Sequence, residues 1–268
     1  MSKTLAFGLA GAAVSAAMLG FGFYAGKQQP AIAAATPPAV ATPIEGRAQI
    51  EQVVRDYLLA NPELMVEVQA ALESRQEEKQ RVAQQSTITS DKDLIFNGKY
   101  DGWGGNPQGD VTLVEFFDYN CGFCKRAFPD MLALVKDDPQ VRVVYKEFPI
   151  LGPDSQKAHV VSMAFRALMP QKWTEFHHSL MGMSRATEES ALRIALSLGA
   201  DEAALRKEME NPQIGAAFEE TYNLATKLAI TGTPSYVVGK EVVFGALGQD
   251  VLAQKIAEAR TATTQAAN

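Results

Sequence analysis

The sequence predicts an α/β fold in which a strand–helix–strand unit, a helical insertion, a β-hairpin and a closing helix follow one another. Three observations carry this reading. Residues 111–117 and 141–146 are short apolar runs of central-strand length, and the stretch between them has helical spacing. Residues 154–228 read as helical in several segments, broken near Pro170, Gly182, Gly199 and Pro212. Residues 235–238 and 242–244 are then separated by Gly239, Lys240 and Glu241, a hairpin-like spacing, with a last helix over about 249–260. A chain of 268 residues with 47% hydrophobic content is long and apolar enough to close a core around such a pattern. Its formal charge of −6 offers no basic field for nucleic acid, and none is expected as a partner.

Taken from the start, Lys3 precedes an uncharged stretch, residues 4–26, rich in Ala, Gly, Leu and Phe and ended by Lys27. It reads as an export signal, but it is longer than the usual apolar region of about 7–15 residues and approaches the roughly 20 needed to span a bilayer, so a retained N-terminal membrane anchor is the rival reading. Residues 31–35 supply the small side chains of a cleavage site. Either reading exports the remainder. Residues 27–46 hold Pro30, Pro37, Pro38 and Pro43 among alanines and read as an extended linker.

In residues 47–88 the pattern turns helical. Ile50, Val53, Val54, Tyr57 and Leu58 recur at spacings of three and four on one face. Asn61 caps a second helix with Pro62 at its first position, and Leu64, Met65, Val68, Ala71 and Leu72 continue an apolar stripe before the polar run 73–85. Two short helices cannot bury both stripes by themselves. They pack on the main domain or on further copies of themselves. The main domain is expected over 89–268, with its helical insertion at about 153–230. Within it, Gly102-Trp103-Gly104-Gly105 reads as a turn. His177 and His178 with Met181 and Met183 could collect a soft metal, but methionines in a helical stretch are ordinarily gap fillers, so no metal ligand is assigned.

The chemistry is concentrated at Cys121-Gly122-Phe123-Cys124, the chain's two cysteines. After a strand and at a helix start, this spacing is a redox motif: the helix N-terminus favours the thiolate of the first cysteine. Cys121 is then the nucleophile and Cys124 the resolving thiol. A zinc site would need two more ligands, and His159, His177 and His178 lack the spacing. No cofactor beyond the redox-active cysteine pair is expected. Thr233-Pro234 at a strand entry suits a cis bond whose neighbouring backbone would pair with an extended peptide; an ordinary trans turn is the alternative. Glu115 lies inside one strand and Lys146 in the other. Adjacent strands would make them a buried acid–ammonium pair beneath the cysteines, unless they face solvent.

Three segments together carry a family resemblance: Val114-Glu115-Phe116-Phe117-Asp118-Tyr119-Asn120-Cys121-Gly122-Phe123-Cys124, then Tyr145-Lys146-Glu147-Phe148-Pro149-Ile150-Leu151-Gly152, then Thr231-Gly232-Thr233-Pro234-Ser235-Tyr236. They resemble the DsbA-like thioredoxin family of exported disulfide-exchange proteins over about residues 90–262. The resemblance implies a thioredoxin-like fold with a helical insertion. It also implies Cys121 as attacking thiol, Cys124 as resolving thiol, Pro234 as cis-proline, Glu115 with Lys146 as the buried pair, and Thr233, Pro234 and Phe123 as the substrate-contacting positions. Residues 50–63 are similar to the oligomerisation region of the copper-sensitivity-suppressor subgroup, ScsC, which favours a homo-oligomer through 47–88 and a disulfide isomerase. That resemblance further implies a periplasmic location, misbridged exported proteins as substrates and a membrane redox partner. A dithiol oxidase of the same fold and a Cu(I)-binding thiol protein are the alternatives. Gly122-Phe123 puts no histidine beside the thiolate, which tells against a strongly oxidising potential.

Overall fold

The computed structural model describes residues 46–266. The expected export segment and most of the linker lie outside them. The chain divides into two units between Val68 and Gln69.

In the first unit, α1 (Arg47–Ala60) forms where the apolar spacing predicts it, yet none of its residues is buried. Ile50, Val53, Val54, Tyr57 and Leu58 all stand exposed on one face. After Asn61 the next helix is not short: α2 (Glu63–Ser90) runs 28 residues without a break. The polar run 73–85 was expected to end the apolar stripe. It does, but Glu, Gln, Arg and Lys are strong helix formers, so the backbone continues.

The last turns of α2 already belong to the main domain. Gln84 and Ile88 are buried there, and Gln84 Nε2 donates to the Leu228 carbonyl at 2.8 Å. Domain packing thus begins ahead of the expected residue 89. A short α3 (Lys92–Phe96) follows, burying Ile95.

Five strands form one sheet in the order β1-β3-β2-β4-β5, from β1 (Gly102–Gly105), β2 (Val111–Phe117), β3 (Val141–Glu147), β4 (Ser235–Val238) and β5 (Glu241–Phe244). β2 and β3 pair in parallel across α4 (Gly122–Asp137), whereas β1 and the β4–β5 hairpin pair antiparallel. The glycine-rich segment read as a turn is therefore an edge strand. A Cβ on Gly102 would lie 2.1 Å from the Trp173 ring, so glycine there permits close approach, a packing reason that composition does not reveal.

β2 is covered on both faces, which is why its sequence is nearly continuous rather than alternating. One face, holding Leu113, Glu115, Phe117, Tyr145 and Tyr236, packs α4 and α10 (Gln249–Ala266) and carries most of the helical insertion. The other, holding Val114, Phe116, Val144 and Val237, packs Ile88, Ile95, Leu224, Leu228 and Ile230.

The insertion consists of α5 (Pro153–Leu168), a 3₁₀ turn (Pro170–Lys172), α6 (Trp173–Met181), α7 (Glu188–Ser197), α8 (Glu202–Met209) and α9 (Pro212–Lys227). Its starts are written locally. Thr187 and Ser190 form a capping box, Asp201 caps α8, and Asn211 caps α9 with Pro212 at its first position. Among the described residues, no helix is long and apolar enough to cross a membrane.

Candidate active site

Cys121 is the N-cap of α4, with extended backbone, and its Sγ accepts from the Cys124 N–H at 3.4 Å. From across the sheet end, the Thr233 carbonyl lies 3.0 Å from the same sulfur, and the Thr233–Pro234 bond is cis. The two cysteines are unbridged in this structure. They differ in access: Cys121 keeps 5% of its surface and Cys124 none, so only the first can meet a protein disulfide.

Electrostatics separates them further. A hydrogen bond from the Cys124 thiol lowers the Cys121 pKa to about 5 against the opposing pull of burial, with Thr233 and the backbone N–H groups of Cys124 and Phe123 adding to the effect. Cys124 moves the other way, far above the usual thiol range, through that same hydrogen bond, burial and the Glu115 carboxyl. The pair is one thiolate beside one thiol. Alkylation of reduced Cys121 by iodoacetamide is accordingly expected to titrate with a midpoint near pH 5; a midpoint above pH 8, that of an ordinary thiol, would contradict this assignment.

Glu115 lies buried under the cysteines, and burial followed by the Cys121 charge raises its pKa to about 8. Its expected partner is absent. In the parallel register Glu115 faces Tyr145, while Lys146 is opposite Phe116, so the two charged side chains point to opposite faces of the sheet. Lys146 instead pairs with Asp101 at 2.7 Å and donates to the Leu94 carbonyl on the far face. Burial, outweighing Lys146, raises the Asp101 pKa to about 6. The acid–ammonium pair is therefore corrected to an unpaired acid below the cysteines and a separate ion pair behind the sheet. Equal positions in two strands do not imply one face; register decides.

Around the motif, Phe123 is exposed with the Arg126 guanidinium 4.2 Å over its ring. The segment before Cys121 is fixed by residues that motif reasoning passed over. Fully buried Asp118 accepts from Asn120 N (2.7 Å), Ser155 Oγ (2.7 Å), Ile150 N (2.9 Å) and Leu151 N (3.0 Å). Asn120 makes two 2.8 Å bonds with the Ala186 backbone, donating to its carbonyl and accepting from its N–H, and Lys125 Nζ donates to the Ser184 carbonyl at 2.9 Å. These contacts tie the insertion to both sides of Cys121. An Asp two residues before an Asn at a strand end is a local turn signal that sequence could have supplied; the partners at residues 150, 155 and 186 are not local.

Deeper in, Tyr119 N donates to His159 Nε2 at 3.2 Å, which leaves Nδ1–H to donate to Glu147. Ser162 also donates to Glu147, at 2.6 Å, and receives the Trp173 indole N–H at 3.0 Å. His177 bonds to the Tyr119 hydroxyl at 3.1 Å and stacks on Trp173, and burial pushes its pKa well down. It is a neutral core histidine.

The comparisons agree with this geometry. Residues 112–257 match the family described as DSBA-like thioredoxin domain, and residues 47–79 match that described as copper resistance protein ScsC N-terminal domain. A thioredoxin-like oxidoreductase from Silicibacter pomeroyi is 44% identical, covers 63% of this chain and 98% of its own, and superposes with a TM-score of 0.60. The thiol-disulfide exchange protein alpha-DsbA2 of Wolbachia pipientis is 30% identical over 66% of this chain and 96% of its own, with a TM-score of 0.61. ScsC of Proteus mirabilis, in a transitional conformation, is 25% identical, covers 81% of this chain and 98% of its own, with a TM-score of 0.60. A curated relative, a Na(+)/H(+) antiporter NhaA 3 of Salinispora tropica, is 24% identical over 50% of this chain, which spans only 21% of that relative's length. With a helix-capping thiolate, a buried partner thiol and the Thr233 carbonyl of a cis Thr-Pro bond set against them on a matching fold, the chain belongs to the DSBA-like thioredoxin family, as a thiol-disulfide oxidoreductase of the DsbA/ScsC type.

Proposed function

We propose that the chain is an exported, self-associating protein disulfide isomerase. The observation that carries the isomerase over the oxidase is the face of α1. Ile50, Val53, Val54, Tyr57 and Leu58 expose 36–66% of their surface at helical spacing, an arrangement stable in water only when another apolar face covers it. The match of residues 47–79 to the ScsC N-terminal domain supports further copies of this chain as the cover. Several Cys121 thiols around one substrate would suit reshuffling of wrong disulfides better than single-pass oxidation.

In this reading the Cys121 thiolate attacks a misplaced disulfide. The substrate S–S bond breaks, one substrate sulfur leaves as thiolate, and the other is held in a mixed disulfide with Cys121. The freed substrate thiolate then attacks elsewhere, and release follows either by its return to the mixed disulfide or by attack of Cys124, whose proton passes to Glu115. Thr233 and Pro234 would present the substrate backbone and Phe123 an apolar contact. The Cys121–Cys124 pair is the only redox group required, and a membrane redox partner would keep it reduced. Location in the periplasm would follow from residues 1–26, acting as cleaved signal or anchor, with 27–46 as linker, 47–88 for self-association and 89–268 for catalysis.

The test is reactivation of misbridged ribonuclease in a mild redox buffer, by the wild type and by a Val54→Lys/Leu58→Lys variant. Because Gln84 and Ile88 pack into the catalytic domain, substitution in α1 is a cleaner probe than deletion through residue 88. Reactivation that falls about tenfold in the variant, together with conversion to monomer in sedimentation, is the expected result. Equal activity in both, with recovery of the protein in its oxidised form, would favour the oxidase; tight Cu(I) binding without turnover would favour the metal-binding thiol protein.

A further inference from the structure

Glu115 and Tyr236 are direct cross-strand neighbours in the antiparallel β2–β4 pair, and both are buried, with 4% and 0% of their surfaces exposed. The Cβ atoms of residues so placed stand about 5 Å apart on one face of the sheet. Among the described residues the Tyr236 hydroxyl is buried with no hydrogen-bond partner in the protein, and the hydrogen bonds of the site include none to the Glu115 carboxyl. A buried hydroxyl without a protein partner is costly unless something joins it to a neighbouring polar group, and the Glu115 carboxyl is that neighbour. A water needs two or more polar partners to remain in an interior, and this pair supplies them.

From this juxtaposition we propose that Tyr236 is a positioning residue for the resolving step, its hydroxyl hydrogen-bonded through one internal water to the Glu115 carboxyl. The proposal rests on the reading of Glu115 as proton acceptor from Cys124. In that step the Cys124 S–H bond breaks and its proton moves to the Glu115 carboxylate. The Cys124 sulfur forms the bond to Cys121 as the Cys121–substrate bond breaks, and the substrate leaves as thiolate. A hydrogen bond donated toward the carboxylate stabilises the form that must accept the proton. Without it, an acid unpaired with any base would hold its own proton too firmly at neutral pH.

The charged and titratable groups facing this pair are few. Tyr145 flanks Glu115 from β3; Cys121, Cys124 and half-buried Asp130 face it or Tyr236 from α4. From α10 the buried contacts are Leu252 and Ile256, which carry no charge. Lys146, the cation expected nearby, lies across the sheet.

The experiment measures release of a model thiol from the preformed Cys121 mixed disulfide by stopped flow across pH, for the wild type, Tyr236→Phe, Glu115→Gln and the double variant. Tyr236→Phe is expected to slow release at pH 7 about tenfold and to move the pH midpoint up by about one unit, the loss of one hydrogen bond to a charged group. Added to Glu115→Gln, it should change nothing further. Slow release in Glu115→Gln with an unaltered rate and profile in Tyr236→Phe would overturn the Tyr236 role and leave Glu115 standing. No slowing in Glu115→Gln would overturn the proton-acceptor reading itself. A second readout needs no Tyr236 variant: the carboxyl C=O infrared band of Glu115, isolated as the wild-type minus Glu115→Gln difference at pH 6, should have a hydrogen-bonded frequency, and a free-carboxyl frequency would refute the bridge.

Discussion

Replacing Cys124 by Ser is expected to trap substrate proteins as mixed disulfides on Cys121, with release slowed by about 1,000-fold or more. Cys124 is fully buried and its N–H already points at the Cys121 sulfur at 3.4 Å, so it is the thiol positioned to expel a bound substrate. A hydroxyl in its place can keep local hydrogen bonding but cannot form a disulfide. The Cys121→Ser variant should trap nothing, because the remaining sulfur has no access to a protein partner. Non-reducing electrophoresis of both variants after incubation with reduced, unfolded substrate in mild oxidant makes the comparison. Equal trapping by the two would remove Cys121 as the attacking group.

The second large effect concerns Glu115→Gln, which is expected to make the protein more stable and slower at once. The sign follows from linkage. The Glu115 pKa is raised from 4.5 to about 8 by burial, so between those values the native state holds a proton that the unfolded chain has released. Stability therefore falls as pH rises through this window, and the loss is complete above about pH 8. Gln has no such proton. Relative to wild type, the variant should gain nothing near pH 4 and on the order of 5 kcal/mol at pH 8.5. Cys121, with its pKa lowered to about 5, contributes the opposite trend in both proteins, stability rising with pH above that value. Urea unfolding of the reduced wild type and variant at several pH values isolates the Glu115 part as their difference. Over the same range, mixed-disulfide release should slow about 100-fold at pH 8 as the proton acceptor is lost. A stability difference independent of pH would sink the buried-acid account.

How much of this was legible beforehand depends on whether a feature is local. The strand at 111–117, the thiol at a helix start, the helix break at Pro212 and the hairpin at Gly239 are all written within a few residues of one another. Their causes are backbone stereochemistry, side-chain capping and hydrophobic period, which act over one turn or one pleat. The strand-entry proline and Glu115 could be named as candidates for the same reason. What they face could not be.

Sequence alone determined the α/β class, the cysteine motif at a helix start, and the amphipathic start of the described chain. Tertiary structure alone decided that Glu115 is flanked by Tyr145 and Tyr236, and that Lys146 belongs to Asp101. It alone made a strand of 102–105, docked the end of α2 against Leu228, and joined Asn120 to Ala186 across 66 residues of chain. The physical reason is register. Side chains in a sheet alternate with a period of two, so a shift of one residue between strands moves a lysine from one side of the sheet to the other, and only assembly of all five strands fixes that shift.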